Sequence, residues 1–164
     1  NFQLVDLTTE KMDIITDMPI GVGEPHYVQA IKADKIKAWE VYPPGTNPVT
    51  MEVDPNAVKD GQEGVTRNGS SVTVKMTVTR SRFKPDIVRL KKGDKVTMHI
   101  TNIETTPDAT HGFAIPRYNV NMSLDAGEYT KLEFEADATG AFAMYCTEFC
   151  SALHLEMQGW MLVS

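Results

Sequence analysis

Ser71-Val72-Thr73-Val74-Lys75-Met76-Thr77-Val78-Thr79 alternates without a break: Val72, Val74, Met76 and Val78 fall on one side, Thr73, Lys75, Thr77 and Thr79 on the other. Successive side chains leave an extended backbone in opposite directions, so this two-residue period predicts a strand with one buried face. Working outward, the pattern repeats. Residues 87–90 are apolar apart from Arg89, a Lys91-Lys92-Gly93-Asp94 turn follows, and Val96, Met98 and Ile100 alternate with Thr97, His99 and Thr101. After a short apolar segment at 112–116 and an Ala126-Gly127-Glu128 turn, Thr130, Leu132, Phe134 and Ala136 alternate with Lys131, Glu133 and Glu135. Thr139-Gly140 leads into 141–146, and Gly159 leads into a closing strand at 160–163. Many short strands, with turns at about 8–12-residue spacing, predict an all-β Greek-key sandwich or barrel.

The first 64 residues read differently. Pro43-Pro44-Gly45-Thr46-Asn47-Pro48 and Lys59-Asp60-Gly61-Gln62-Glu63-Gly64 are breaker clusters that predict loops. Residues 27–39 have mixed periodicity and support neither helix nor strand. The expected organisation is therefore an irregular extension or linker over 1–64 and a β domain over 65–164.

Hydrophobic residues make up 41% of the 164, enough for a packed core and too many for a disordered chain. The longest apolar run, Ala141-Phe142-Ala143-Met144-Tyr145, is far from the ~20 residues of a membrane helix, so no membrane insertion is expected. A net charge of −6 argues against a nucleic-acid partner, which needs a basic surface. It suits steering of a basic protein partner, although ordinary solubility accounts for it equally well. The chain opens on Asn1 rather than Met and carries no signal peptide, which reads as a trimmed or processed piece whose targeting is not visible.

The chemistry is concentrated in Cys146-Thr147-Glu148-Phe149-Cys150-Ser151-Ala152-Leu153-His154-Leu155-Glu156-Met157, which holds both cysteines of the chain. Two thiols, an imidazole and a thioether are soft donors, the set that copper prefers and that magnesium or calcium does not. Cys150, His154 and Met157 follow one another at i,i+4 and i,i+3 steps, so one helical turn would bring them to one face. Cys146 stands at the expected strand end, and His111, 35 residues upstream, must arrive through the fold. A mononuclear blue-copper site needs two histidines, one cysteine and a weak methionine, which leaves one thiolate over. Zinc as Cys₂His₂ is possible in stoichiometry but leaves Met157 unused. A disulfide between the cysteines would close a very small loop and explain neither His154 nor Met157. A binuclear copper site uses all five side chains, with two thiolates bridging, one histidine on each copper, and Met157 and a backbone carbonyl at the ends.

Cys146-x-x-x-Cys150-x-x-x-His154-x-x-Met157, with His111-Gly112-Phe113 upstream, resembles the CuA motif shared by the cytochrome c oxidase subunit II and nitrous-oxide reductase families. The resemblance covers the last ~95 residues and implies a cupredoxin-like Greek-key β-sandwich. Gly23-Glu24-Pro25-His26-Tyr27, Lys32-Ala33-Asp34-Lys35-Ile36 and Trp39-Glu40-Val41-Tyr42-Pro43-Pro44 look like the segment joining the propeller of nitrous-oxide reductase to its CuA domain. Asp108-Ala109-Thr110-His111-Gly112-Phe113 leans the same way, and residues 74–86 lack the Trp and Tyr expected of an oxidase subunit.

Several expectations follow from that resemblance. It implies two copper ions held by His111, Cys146, Cys150, His154, Met157 and the backbone carbonyl of Glu148. It implies single electrons arriving from a periplasmic c-type cytochrome or cupredoxin, and a tetranuclear copper centre in the other subunit of a homodimer receiving them to reduce nitrous oxide. Alone, the chain would shuttle electrons without turnover. One position departs: Trp is common between the two cysteines of nitrous-oxide reductases and Glu in oxidases, and here it is Glu148. Five further readings are plainer. His99 is expected on a polar surface, and His26 is expected to bind nothing without its propeller. Met144 and Met161 are expected in the core, and Trp160 is expected to pack the sandwich. Glu104, Asp108 and Glu156 are near enough in sequence to accept an imidazole N–H, but solvated carboxylates are the default.

Overall fold

The computed structural model describes residues 2–5, 14–18, 43–47, 50–107 and 109–164. His26, the motifs at 23–27 and 32–36, residues 39–42 and Asp108 lie outside them. The chain forms two compact units, Asn1–Ile36 and Lys37–Ser164. In the first, β1 (Phe2–Val5) pairs antiparallel with β2 (Ile14–Met18), with a register shift between Leu4 and Val5.

The second unit is a β-sandwich. Its strands are β3 (Gly64–Asn68), β4 (Ser71–Thr79), β5 (Arg82–Lys84), β6 (Ile87–Leu90) and β7 (Lys95–Asn102). They continue with β8 (His111–Ile115), β9 (Val120–Leu124), β10 (Tyr129–Glu135), β11 (Gly140–Tyr145) and β12 (Gln158–Val163). One sheet has the order β10-β7-β4-β3, with β5 also on β4, and the other the order β6-β12-β11-β8-β9. The β4–β7 and β6–β12 pairs are parallel, which no hairpin can connect, so the chain crosses between sheets to make them.

The alternation read from β4 holds: Val72, Val74, Met76 and Val78 are buried between the sheets. They meet Val96, Met98 and Ile100 of β7 and, from the opposite sheet, Val88, Phe113, Met144 and Met161. Phe83 and Phe113 join the sheets edge to face, with centroids 5.3 Å apart and an interplanar angle of 80°. Met144 and Met161 are core residues, as expected.

Two expectations need correction. Trp160 is 42% exposed, because the period of β12 turns Gly159, Met161 and Val163 inward and leaves Trp160 on the outer face. Gly159 takes the inward position because a Cβ there would lie 2.5 Å from the Asp86 carbonyl oxygen and 2.9 Å from Met144 Cε. His99 is half-buried, not a solvated surface group: its Nδ1 lies 2.8 Å from Tyr129 Oη, and the two rings lie stacked.

Residues 43–47 and 59–63 lie in turns and irregular backbone, with one isolated bridge at Thr46, and residues 58–63 pack against the first sheet. The Val58 N–H donates to the buried Thr101 Oγ1 at 2.8 Å, Thr77 Oγ1 donates to Glu63 at 2.6 Å, and Lys84 pairs with Asp60 and Glu63. This layer buries Thr77 and Thr101, which the alternation alone assigned to a polar face.

At the turn before β7, buried Asp94 accepts a two-pronged bond from Arg67 at 2.5 and 2.6 Å and the Lys91 N–H at 2.6 Å. The Arg67 guanidinium holds the Asp94 carboxyl below its ordinary value near 3.8. A depressed carboxylate adds stability above its unfolded pKa and loses it as pH falls through the folded one. Arg67→Ala should therefore lower the melting temperature at neutral pH, and its gap to the parent chain should close as the pH drops below 3.8. Thermal melts across that range check this, and a gap that stays constant would contradict the assignment.

Candidate metal centre

The twelve-residue loop runs between β11 and β12, whose pairing ends at Tyr145 opposite Gln158. One further bond, from the Cys146 N–H to the Met157 carbonyl at 3.1 Å, closes its base. Both ends are thereby tied to the sheet. Within it, Leu153 N–H donates to Ser151 Oγ at 3.0 Å, His154 N–H to the Ser151 carbonyl at 3.1 Å and Met157 N–H to the His154 carbonyl at 3.1 Å. The result is a turn followed by a short 3-10 segment, His154–Glu156, rather than one turn of α-helix. The three side chains still converge: Cys150 Sγ lies 4.0 Å from His154 Nδ1 and 3.6 Å from Met157 Sδ.

Cys146 Sγ lies 3.8 Å from Cys150 Sγ and 3.2 Å from the Glu148 carbonyl oxygen. Both cysteines are free thiols. His111 opens β8, beside β11 in the sheet, and its ring reaches the same place. A ring nitrogen of His111 and the two sulfurs all lie within 4.8 Å of one another. The fold thus brings the six sequence-derived positions near one another: Cys146 and Met157 from the loop's tethered ends, Glu148 and Cys150 from between them, His154 from the 3-10 segment, and His111 from the neighbouring strand.

The burial of His111 is the sharpest feature. The residue is fully buried, and neither ring nitrogen has a hydrogen-bond partner. Glu104 Oε1 lies 3.6 Å from Nε2, an electrostatic contact longer than a hydrogen bond. Leaving two buried ring nitrogens unbonded is costly, and the cost falls where one of them binds a metal. Burial pushes the imidazole's pKa down, toward the neutral form that ligates, with Glu104 opposing. Burial pushes the Cys146 thiol up, and neighbouring Cys150 adds to this. A bound cation reverses that order, because metal-bound thiols are deprotonated. The donor set and the orphaned imidazole therefore fit a soft metal.

The surroundings were mostly invisible in sequence. Glu104, read there as solvated by default, faces His111 and also accepts the Arg80 N–H at 2.5 Å. Ser81 Oγ and Ser151 Oγ are 2.6 Å apart, joining the β4–β5 turn to the residue after Cys150. Glu148 turns its carboxylate to Ser123 on β9 at 3.0 Å, while Glu156 is exposed. Gly112 is the one signal that the motif carried: a Cβ there would lie 2.1 Å from Thr147 Oγ1 and 2.4 Å from Thr147 N. Phe149, Leu153 and Leu155 are 83%, 59% and 87% exposed, leaving an apolar rim around the loop.

The cupredoxin-like domain family matches residues 58–163. A nitrous-oxide reductase from Cupriavidus necator is 43% identical over 164 residues, which is 99% of this chain and 24% of that protein. A cytochrome c oxidase subunit 2 from Thermus thermophilus is 25% identical over 118 residues, 68% of this chain and 84% of the relative. Among solved structures, a heme-copper terminal oxidase dimer seen by cryo-electron microscopy aligns with a TM-score of 0.54 at 23% identity, covering 65% of this chain and 74% of the other. That last likeness is one of fold. The chain spans about a quarter of the length of the nitrous-oxide reductase that it matches. Among the described residues, no helix is long and apolar enough to cross a membrane.

Proposed function

This chain belongs to the cupredoxin-like domain family, and from that membership we propose that it is an electron-transfer domain built around a binuclear copper centre of the CuA type. The observation that carries the reading is the meeting of two free thiols with a buried, unbonded imidazole inside 4.8 Å. Cys146 and Cys150 would supply thiolates shared by the two ions, His111 and His154 would supply one imidazole each, and Met157 Sδ and the Glu148 carbonyl would be the weaker donors. Such a pair of coppers would supply a site where one electron is shared over both ions with little change of geometry, which fast electron transfer requires. The protein's part is rigidity: the loop closed by Cys146 and Met157 leaves the ligands little freedom to rearrange. Zinc would leave the Met157 thioether idle, and mononuclear copper would leave one buried thiol idle.

At 43% identity to a nitrous-oxide reductase over nearly its whole length, the chain reads as the electron-input domain of such an enzyme. In this reading residues 1–64 connect a preceding propeller to the sandwich of 65–164. A periplasmic c-type cytochrome or cupredoxin donates electrons, docking against the apolar rim of Phe149, Leu153 and Leu155. The electrons would pass to a tetranuclear copper centre in the other subunit of a homodimer, where nitrous oxide would be reduced. Glu148 favours a second reading, a terminal oxidase subunit. The full reading frame separates the two, since an upstream propeller supports the reductase and two membrane helices support the oxidase.

Metal analysis tests the site itself. The purified chain offered copper and zinc together should retain two coppers and no zinc. One copper per chain, or zinc at full occupancy, contradicts the proposal.

A further inference from the structure

The His111 ring makes no hydrogen bond, so apart from the 3.6 Å electrostatic contact with Glu104 it is held by packing and by the backbone that carries it. The backbone on either side of it is tied by a buried side chain, in addition to the β8–β9 pairing and the Thr110–Asp125 bond. Asn102, the last residue of β7, is fully buried, and its Nδ2 donates to the Ala109 carbonyl at 2.8 Å and to the Leu124 carbonyl at 2.9 Å. Its Oδ1 accepts the Glu104 N–H at 3.1 Å. Ala109 lies two residues before His111, Leu124 is the residue paired with His111 across β8 and β9, and Glu104 carries the carboxylate that faces His111 Nε2. The backbone of Asn102 is fixed in turn, donating to the Glu128 carbonyl at 2.9 Å and accepting the Gly127 N–H at 3.0 Å.

From this arrangement we propose that Asn102 is a positioning residue for His111, setting where the imidazole stands relative to the two thiols. Both amide protons and the amide oxygen are engaged at separate points around one ring. A buried apolar residue would fill the space but leave the Ala109 and Leu124 carbonyls without this donor. The role of Asn102 in the metal site rests on the copper reading above. Its hold on the His111 backbone does not.

Asn102→Asp tests it, since it keeps the volume and the oxygen acceptor but removes both donors. Asn102→Ser, smaller and uncharged, keeps one donor and serves if the charged variant fails to fold. Val163→Ala, at the far end of β12, supplies a comparable loss of stability away from the site. In the metal-free chain, amide exchange at 109–112 should speed up in the Asn102 variants beyond their global destabilisation, and not in Val163→Ala. Loaded with copper, the Asn102 variants should hold it about 10- to 100-fold less tightly against a competing chelator and show an altered copper–thiolate absorption spectrum. Exchange and spectrum that follow global stability alone, as in Val163→Ala, would overturn the proposal. If the parent chain takes no copper, the copper reading falls, while exchange at 109–112 still decides what Asn102 does.

Discussion

Cys150→Ser should leave the metal-free sandwich folded and, if the proposed copper site is right, should remove the shared-electron character of the copper-loaded chain. Cys150 is half-buried at the rim of the core, so the change of sulfur to oxygen costs the fold little. Its expected effect on copper binding is large. Sulfur is soft and overlaps strongly with copper, whereas a serine oxygen is a hard and weakly acidic donor that does not bridge two soft ions. The arrangement also gives this sulfur three neighbours at once, Cys146 at 3.8 Å, His154 at 4.0 Å and Met157 at 3.6 Å. Losing it should drop the copper content from two per chain to one or fewer, with any remaining unpaired electron confined to a single nucleus. A variant that still carried two equivalent coppers would show that Cys150 does not bridge.

Gly112→Ala is expected to disturb the same site from the opposite side. Its new Cβ would stand 2.1 Å from Thr147 Oγ1, 2.4 Å from Thr147 N and 2.7 Å from Glu148 N. The threonine side chain can rotate away, but two backbone nitrogens of a loop tied at both ends cannot. Strand β8 and the loop must therefore separate, which moves His111 away from Cys146 and from the Glu148 carbonyl. Overpacking of this kind costs on the order of 3 kcal/mol. That corresponds to a fall in melting temperature of roughly 10 °C for a domain of this size. The copper spectrum should change as well, because His111 and Cys146 sit on the two parts that separate. An unchanged melt together with an unchanged spectrum would show that the close approach does not exist in solution.

What could be read before folding divides along the range of the interactions. The strands of the sandwich were legible because their buried face repeats locally, as in Val72, Val74, Met76 and Val78. The proposed donors could be picked out for a similar reason: ligand chemistry is a property of residue type, and five of the six positions lie within one loop. Trp160 was misplaced because the parity of a strand is fixed by contacts outside it, here the fit of Gly159 against Asp86 and Met144. Thr77 and Thr101 look solvent-facing in sequence and are buried by residues 57–63, a layer that carries no periodic signal. Asn102 and Glu104 were the least legible. An asparagine at a strand end and a glutamate in a polar loop are commonplace, and only the tertiary structure gathers them around His111.

Electron paramagnetic resonance of the copper-loaded, singly oxidised chain is the most direct test of the central claim. The account predicts one unpaired electron whose signal is split equally by two copper nuclei. A signal split by a single copper nucleus in a fully loaded sample would contradict it.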